Sequence, residues 1–316
     1  MNASAPPALR VRAHAKINLN LRVLGRRPDG YHELRTVFQA LALHDTLTVV
    51  ARPGAFDLEC SDARLPSDAS NLVARAADLL WRHLRRDGPV RDVAVRLEKR
   101  IPMQAGLGGG SADAAAALLG LARLWDVEIA PAELATLGHQ LGADVGFFFT
   151  GGAALGLGRG DEIHPLADLP RLGVLVVVPA FAVSTADAYR WLDEDIGRVG
   201  QVGKMARSGP AIPGCTWPAP DGDVVNDFEP VVAARHPEIA QIVGALRAAG
   251  VAAAAMTGSG SAVFGLFDND AVLEQAAQAL EAASRSIERT RTLSRAEYLQ
   301  ASAPVATRVA PTGRAL

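Results

Sequence analysis

Four glycines fall within the five residues Gly106-Leu107-Gly108-Gly109-Gly110, with Ser111 and Ala112 directly after them and Pro102-Met103-Gln104-Ala105 before. Glycine lets a backbone take positive φ and approach a ligand closely. The first turn of a helix adds unpaired N–H groups and the positive end of its dipole. A glycine loop that runs into a helix is therefore a cradle for an anion, and phosphate is its natural guest. Two familiar phosphate patterns are absent. The P-loop needs a lysine just after its last glycine, where Ser111 and Ala112 stand. The dinucleotide fingerprint needs a third glycine where Ser111 follows Gly106-x-Gly108. The loop is a third kind of nucleotide cradle.

Other residues suit chemistry at a distance from the loop. In Ala15-Lys16-Ile17-Asn18-Leu19-Asn20-Leu21 the alternation puts Lys16, Asn18 and Asn20 on one face of a strand. That face is either solvated or, since Asn is a poor strand residue, the wall of a polar pocket. Arg27-Pro28-Asp29-Gly30 is turn chemistry, and Tyr31 and His32 follow it at once. They form either an ordinary hairpin tip or a pair of rings able to hold a nucleobase. Asp144 stands between Gly142 and Gly146, next to the apolar Phe147-Phe148-Phe149. It is either a helix cap or a working carboxylate.

The elements that must position these residues are readable from periodicity. Strands are expected over 9–13, 15–21, 36–43, 45–50 and 93–97. Helices are expected over 70–86, with Ser70 as cap, over 112–125, and over 131–141 with Pro131 in the first turn. Residues 172–178 read as a buried strand, 184–192 as a helix, and 197–223 as a Pro- and Gly-rich connection. Helices follow over 226–234, 237–249 and 271–284. Met256-Thr257-Gly258-Ser259-Gly260-Ser261 is a second small-residue turn, and a last strand is expected over 290–293.

The chain has 316 residues, nearly half of them apolar, and a net charge of −2. Its size allows one large or two ordinary domains. The charge and the lack of a long basic run argue against nucleic acid as a partner. No segment reads as a membrane span or signal peptide. Cys60 and Cys215 read as free thiols in a reducing compartment, so a cytoplasmic protein is expected. No His/Cys cluster of metal-binding type is visible.

With these residues in view, Pro102-x-x-x-Gly106-Leu107-Gly108-Gly109-Gly110-Ser111 resembles the ATP loop of the GHMP kinases, and residues 256–261 resemble their C-terminal glycine motif. Ala15-Lys16-Ile17-Asn18-Leu19, Arg27-Pro28-Asp29-Gly30-Tyr31-His32 and Leu141-Gly142-Ala143-Asp144-Val145 are similar to the branch of that family whose acceptor is a cytidine-diphosphate-linked alcohol of the non-mevalonate isoprenoid route. The motifs run in order from residue 15 to about 265. One departure is Gly146, near which the family pattern has a proline.

The resemblance implies an α/β (α+β), two-domain GHMP kinase fold with its active site in the interdomain cleft. Residues 1–169 would form the first domain, 170–301 the second, and 302–316 a disordered tail. It implies ATP and Mg²⁺ as cofactors, and transfer of the γ-phosphoryl group to the 2-hydroxyl of a small cytidine diphosphate substrate. Asp144 would be the base and Lys16 its partner. Pro102, Met103, Gln104, Ala105, Gly106, Leu107, Gly108, Gly109, Gly110, Ser111 and Ala112 would bind ATP. Asn18, Tyr31 and His32 would hold the cytosine, and Thr185 would border the diphosphate. Metal ligands stay unassigned, with Ser111 able to orient a phosphate or Mg²⁺. Two other readings remain open: a GHMP kinase with a homoserine- or mevalonate-type acceptor, and a nucleotide-binding regulator without catalysis.

Overall fold

The computed structural model describes residues 8–199, 224–281 and 285–307. Its first sheet is built on a long antiparallel hairpin, β1 (Ala8–Arg26) and β2 (His32–Ala55). The sequence breaks each of these into two shorter strands. The structure joins them through register shifts between His14 and Lys16, Asn18 and Asn20, and Val23 and Gly25. Such bulges bend a strand without ending it, so one strand serves two regions of the molecule.

β2 splits its pairing. Its far half carries β4 (Arg91–Glu98), with β3 (Asp57–Cys60) parallel beyond it, and its near half carries β5 (Ala153–Leu157) and then β6 (Glu162–Pro165). Helices α1 (Leu72–His83), α2 (Gly109–Leu124) and α3 (Pro131–Leu141) bury their apolar faces together with Val11, Phe38, Leu47 and Val49 of the sheet. The N-cap of α1 is Asn71 rather than Ser70. The Asn71 side chain accepts from Val73 N at 2.9 Å, whereas the Ser70 hydroxyl is turned back onto Asp68. A 3₁₀ helix, Ala143–Phe149, follows α3.

The second sheet starts at β7 (Gly173–Pro179). After it come α4 (Thr185–Val199), β8 (Val225–Asn226), α5 (Phe228–Ala233), α6 (Glu238–Ala248), β9 (Ala253–Met256), β10 (Val263–Phe267), α7 (Asp270–Leu280) and β11 (Arg285–Arg291). Its order is β11-β7-β10-β9, antiparallel throughout. β7 reads as a continuous apolar run because both its faces are covered. Leu175 and Val177 face the helices α4 to α7, and Val174 and Val176 face an apolar layer shared with Ile17 and Leu19 of β1 and Leu107 of the glycine loop. The loop is thus clamped between the sheets. Among the described residues no helix is long and apolar enough to cross a membrane.

The chain end corrects the sequence reading. Helix α8 (Arg295–Ser302) has a capping box, Ser294 with Glu297; it packs on β1 and also reaches the second sheet, where Arg291 of β11 donates to Glu297 at 3.0 Å. The Tyr298 hydroxyl donates to the Phe148 carbonyl at 2.7 Å. Residues 302–316 read as a disordered tail, yet Ser302 closes α8 and β12 (Val305–Thr307) pairs with the edge of β1. A three-residue edge strand leaves almost no periodicity to read. Residues 308–316 lie outside the described residues, as do 200–223 of the Pro- and Gly-rich connection and with them Cys215.

Candidate active site

β1 delivers Lys16 between the two glycine turns. Its side chain is only 4% exposed. Nζ donates to Asn18 Oδ1 at 2.6 Å and to the Gly106 carbonyl at 2.9 Å, and lies 3.3 Å from Asp144 Oδ2. A buried ammonium is tolerable only with such partners. Asp144 is not the cap of the 3₁₀ helix, because that position belongs to Gly142. It sits in the first turn, with one carboxylate oxygen toward Lys16 and the side chain 34% exposed. Of the two alternatives, the geometry removes the cap and leaves Asp144 in an ion pair with Lys16. At the departure from the family pattern, a Cβ on Gly146 would come within 2.9 Å of His139 Nε2, so glycine makes room for that ring.

The two turns touch backbone to backbone. Gly106 has φ +76°, and a Cβ there would lie 2.1 Å from the Thr257 carbonyl oxygen. Ala262 N donates to the Ala105 carbonyl at 3.2 Å. The Thr257 hydroxyl accepts from Asn18 N at 3.0 Å and lies 3.3 Å from the Gly106 carbonyl. α2 begins at Gly109, three residues earlier than the sequence reading, with Gly108 in the left-handed region as its cap and no side-chain cap bond. Its first-turn N–H groups are left for a ligand.

Beneath the loop lies a charged cluster that the sequence did not reveal. Asp45 accepts from Arg100 N at 2.5 Å and Ile101 N at 2.8 Å, fixing the approach to the loop. Lys99 Nζ joins Asp45 to Asp113 of α2, 2.7 Å away. Burial pushes the Asp113 carboxyl well above the usual carboxylate range, against the opposing pull of Lys99. A cavity of about 420 Å³ opens along Pro102, Met103 and Gln104, with Phe181, Ala182 and Ser261 among its other walls.

Across the cleft, α4 presents Thr185, Tyr189 and Asp193 at i, i+4 and i+8, a single helix face. Thr185 Oγ1 is 3.1 Å from Ser259 Oγ of the second glycine turn. Tyr189 stacks on His32, with ring centroids 4.6 Å apart and planes 24° apart. Burial first, and then the charge of Asp144, push the Tyr189 phenol up to about 12. That link places the His32 stack within electrostatic reach of the Lys16–Asp144 pair.

His32 Nε2 lies 2.8 Å from Asp193 Oδ1. Tyr31, adjacent in sequence, has different neighbours: the residue is 57% exposed and its ring lies 4.9 Å from the Arg159 guanidinium. Asp29 accepts from Tyr31 N at 3.1 Å, the turn role expected of it. The sequence places Asn18 with the cytosine-binding residues. Its amide is instead engaged at both ends, by Lys16 and by Thr36 Oγ1 at 2.7 Å.

Tyr189, Asp193, Thr36 and the Lys99 cluster were not singled out by sequence reasoning. The spacing of Thr185, Tyr189 and Asp193 was a usable signal for the first two.

Among the described residues no group of three or more His, Cys, Asp or Glu is placed to hold a metal ion. Magnesium characteristically binds through one or two carboxylates together with substrate phosphates. The Ser111 hydroxyl, in the first turn of α2 beside N–H groups left for phosphate, fits that mode rather than an all-protein cage.

A clamped glycine loop opening a helix, a second glycine turn against it and a lysine–carboxylate pair in the cleft define a small-molecule kinase of the GHMP class. The chain belongs to the GHMP kinase family: the GHMP kinases N terminal domain matches residues 71–152 and the GHMP kinases C terminal domain residues 195–285. Within it, the chain is 46% identical over 265 residues to the 4-diphosphocytidyl-2-C-methyl-D-erythritol kinase of Solibacter usitatus, covering 83% of this chain and 82% of the relative. It is 40% identical to the enzyme of that name from Symbiobacterium thermophilum, over 91% of this chain and 97% of the relative. A crystal structure of 4-(cytidine 5'-diphospho)-2C-methyl-D-erythritol kinase superposes with a TM-score of 0.70 at 36% identity, covering 90% of this chain and 98% of that one. Homoserine kinase from Cytophaga hutchinsonii, at 18% identity and a TM-score of 0.64 over 95% of this chain and 97% of its own, shares the fold. The two-domain α/β class expected from the motifs is the observed one.

Proposed function

We propose that the chain transfers the γ-phosphoryl group of ATP to the 2-hydroxyl of 4-diphosphocytidyl-2-C-methyl-D-erythritol, giving the 2-phosphate and ADP in non-mevalonate isoprenoid precursor synthesis. The relatives of that name support the substrate. The observation that carries the chemistry is the Lys16–Asp144 pair under the Gly106 carbonyl.

Phosphoryl transfer needs positioning and charge neutralisation more than covalent chemistry. The N–H groups at the start of α2 hold the donor phosphates, and the cavity along Pro102 to Gln104 receives the nucleoside. Asp144 accepts the proton of the attacking hydroxyl. Lys16, held by Asn18 and Gly106, offsets negative charge growing on the acceptor oxygen. Ser111 would be the residue suited to hold a Mg²⁺ ion brought in with ATP, and the ion would supply charge neutralisation there.

On the acceptor side, Tyr31, His32 and Tyr189 form the aromatic surfaces for the cytosine, and Thr185 borders the diphosphate. Asn18 then acts mainly through Lys16. We take the domains to change between β6 and β7, supported by the separate sheets on either side. ATP as donor and the free Cys60 thiol support a cytoplasmic setting. The test is an incubation with ATP, Mg²⁺ and a panel of alcohol acceptors, locating the new phosphate by ³¹P–¹³C coupling. Phosphate on any hydroxyl but the 2-hydroxyl of the cytidyl substrate would overturn the assignment.

A further inference from the structure

His32 is the ring of the proposed base site whose edge meets a carboxylate at hydrogen-bond distance. Its side chain is 9% exposed, its face lies on Tyr189, and Nε2 meets Asp193 Oδ1 at 2.8 Å. Nδ1, on the other edge of the ring, has no hydrogen-bond partner among the described residues. A carboxylate can only accept, so Nε2 carries the proton in this contact. In a neutral imidazole the other nitrogen then has a bare lone pair and can only accept.

That state discriminates between pyrimidines. Cytosine presents an exocyclic amino group, a donor, at the position where uracil presents a carbonyl, an acceptor. An accepting Nδ1 pairs with the first and is left facing a like lone pair by the second. A site that leaves a buried polar group unpaired against the wrong ligand rejects it far more strongly than an apolar pocket does.

We propose that Asp193 is a positioning residue that sets the pyrimidine specificity of the acceptor site: it holds the Nε2 proton of His32 and so presents Nδ1 as an acceptor for the cytosine amino group. Asp193 does not touch the base. It sits two helical turns beyond Thr185 on the α4 face that lines the cleft, and its 42% exposed carboxylate acts only through the imidazole. An amide in its place keeps the shape but can donate as well as accept, which frees His32 to take the opposite tautomer. The inference rests on the cytidyl-substrate reading, and its test separates the two.

CDP and UDP are compared as competitive inhibitors against the cytidyl substrate, for the wild type and for Asp193→Asn and Asp193→Glu. The wild type prefers CDP. In Asp193→Asn the CDP-over-UDP preference falls about tenfold and KM for the cytidyl substrate rises about tenfold, the size expected for one charge-assisted hydrogen bond, while KM for ATP and kcat hold. Asp193→Glu restores part of the preference. ¹⁵N spectra of the imidazoles supply a readout that loss of packing alone would not give. His32 shows the Nε2–H tautomer in the wild type and loses it in Asp193→Asn.

An unchanged CDP/UDP ratio in an active Asp193→Asn enzyme overturns the proposal. So does a wild-type His32 that is doubly protonated or carries its proton on Nδ1. A wild type that phosphorylates no cytidyl substrate overturns the functional reading instead.

Discussion

On the function proposed above, the donor and acceptor halves of the cleft are made of different material. The donor half is main chain: Gly106 against Thr257, Ala105 against Ala262, and an uncapped helix start. It is wedged between two sheets and contributes Leu107 to their shared apolar layer. The acceptor half is side chain: Tyr31 on an exposed turn, His32 behind it, and Thr185, Tyr189 and Asp193 on one helix face. Backbone binding of phosphate is indifferent to most substitutions except those that add a Cβ. Side-chain recognition can be rewritten residue by residue. One fold can therefore keep its backbone cradle while the side chains facing it change.

Four measurements would break or sharpen that contrast. The largest effect is expected where the halves meet. Asp144→Asn should lower kcat by about a hundredfold or more while leaving both Michaelis constants near their starting values. Near-normal turnover would remove Asp144 as the base.

Next comes Gly106→Ala, which forces a Cβ into the Thr257 carbonyl and a side chain into the left-handed region. It should cost about 2–3 kcal/mol of stability, read from urea denaturation, and raise KM for ATP more than KM for the cytidyl substrate. Equal effects would mean that the loop is not a donor-only device.

A third test uses the strand both halves share. His14, two residues before Lys16, is held well below its ordinary value, at about 4, chiefly by burial and then by the charge of His44. The unfolded chain binds that proton from about pH 6.5 downward and the folded chain only near pH 4, so stability should fall as pH drops through this window. The loss should reach about 2 kcal/mol by pH 5, and His14→Leu should flatten the slope. Binding of ATP and of the cytidyl substrate should fail together in the wild type. Separate midpoints would show that β1 does not couple the halves.

The smallest effect is Tyr31→Ala. It should raise KM for the cytidyl substrate about tenfold, the value of one aromatic contact, and leave KM for ATP unchanged.

The same contrast explains what could be read from sequence. The donor half is local: Pro102 to Ala112 is one uninterrupted segment whose glycines state their own geometry. Lys16 and Asp144 were readable because each breaks a local expectation, a lysine and asparagines in a strand and an acid between glycines. The acceptor half is assembled by tertiary packing. His32 was found as a neighbour of Tyr31, but its real partners, Tyr189 and Asp193, lie more than 150 residues away on a helix recognised only as a helix. Asn18 is placed near the base because it shares the strand face of Lys16; that its amide also meets Thr36 of the next strand is not written in either stretch. The Lys99–Asp45–Asp113 cluster joins three separate elements, and no single stretch of sequence advertises it. α8 did carry a sign, Ser294-Arg295-Ala296-Glu297, a capping-box spacing.

The return of the chain end to the first sheet has a consequence for synthesis. Leu9 is among the first described residues to leave the ribosome and its partner Ala306 among the last. Tyr298 occupies the space behind the Asp144 helix that a Cβ on Gly151 would need, its ring lying 1.9 Å from that position. The edge of β1 at Ala8 to Arg10 therefore stays bare until residues 305–307, made nearly 300 residues later, reach it. Closure of the first sheet thus depends on a segment synthesised long after the hairpin it completes.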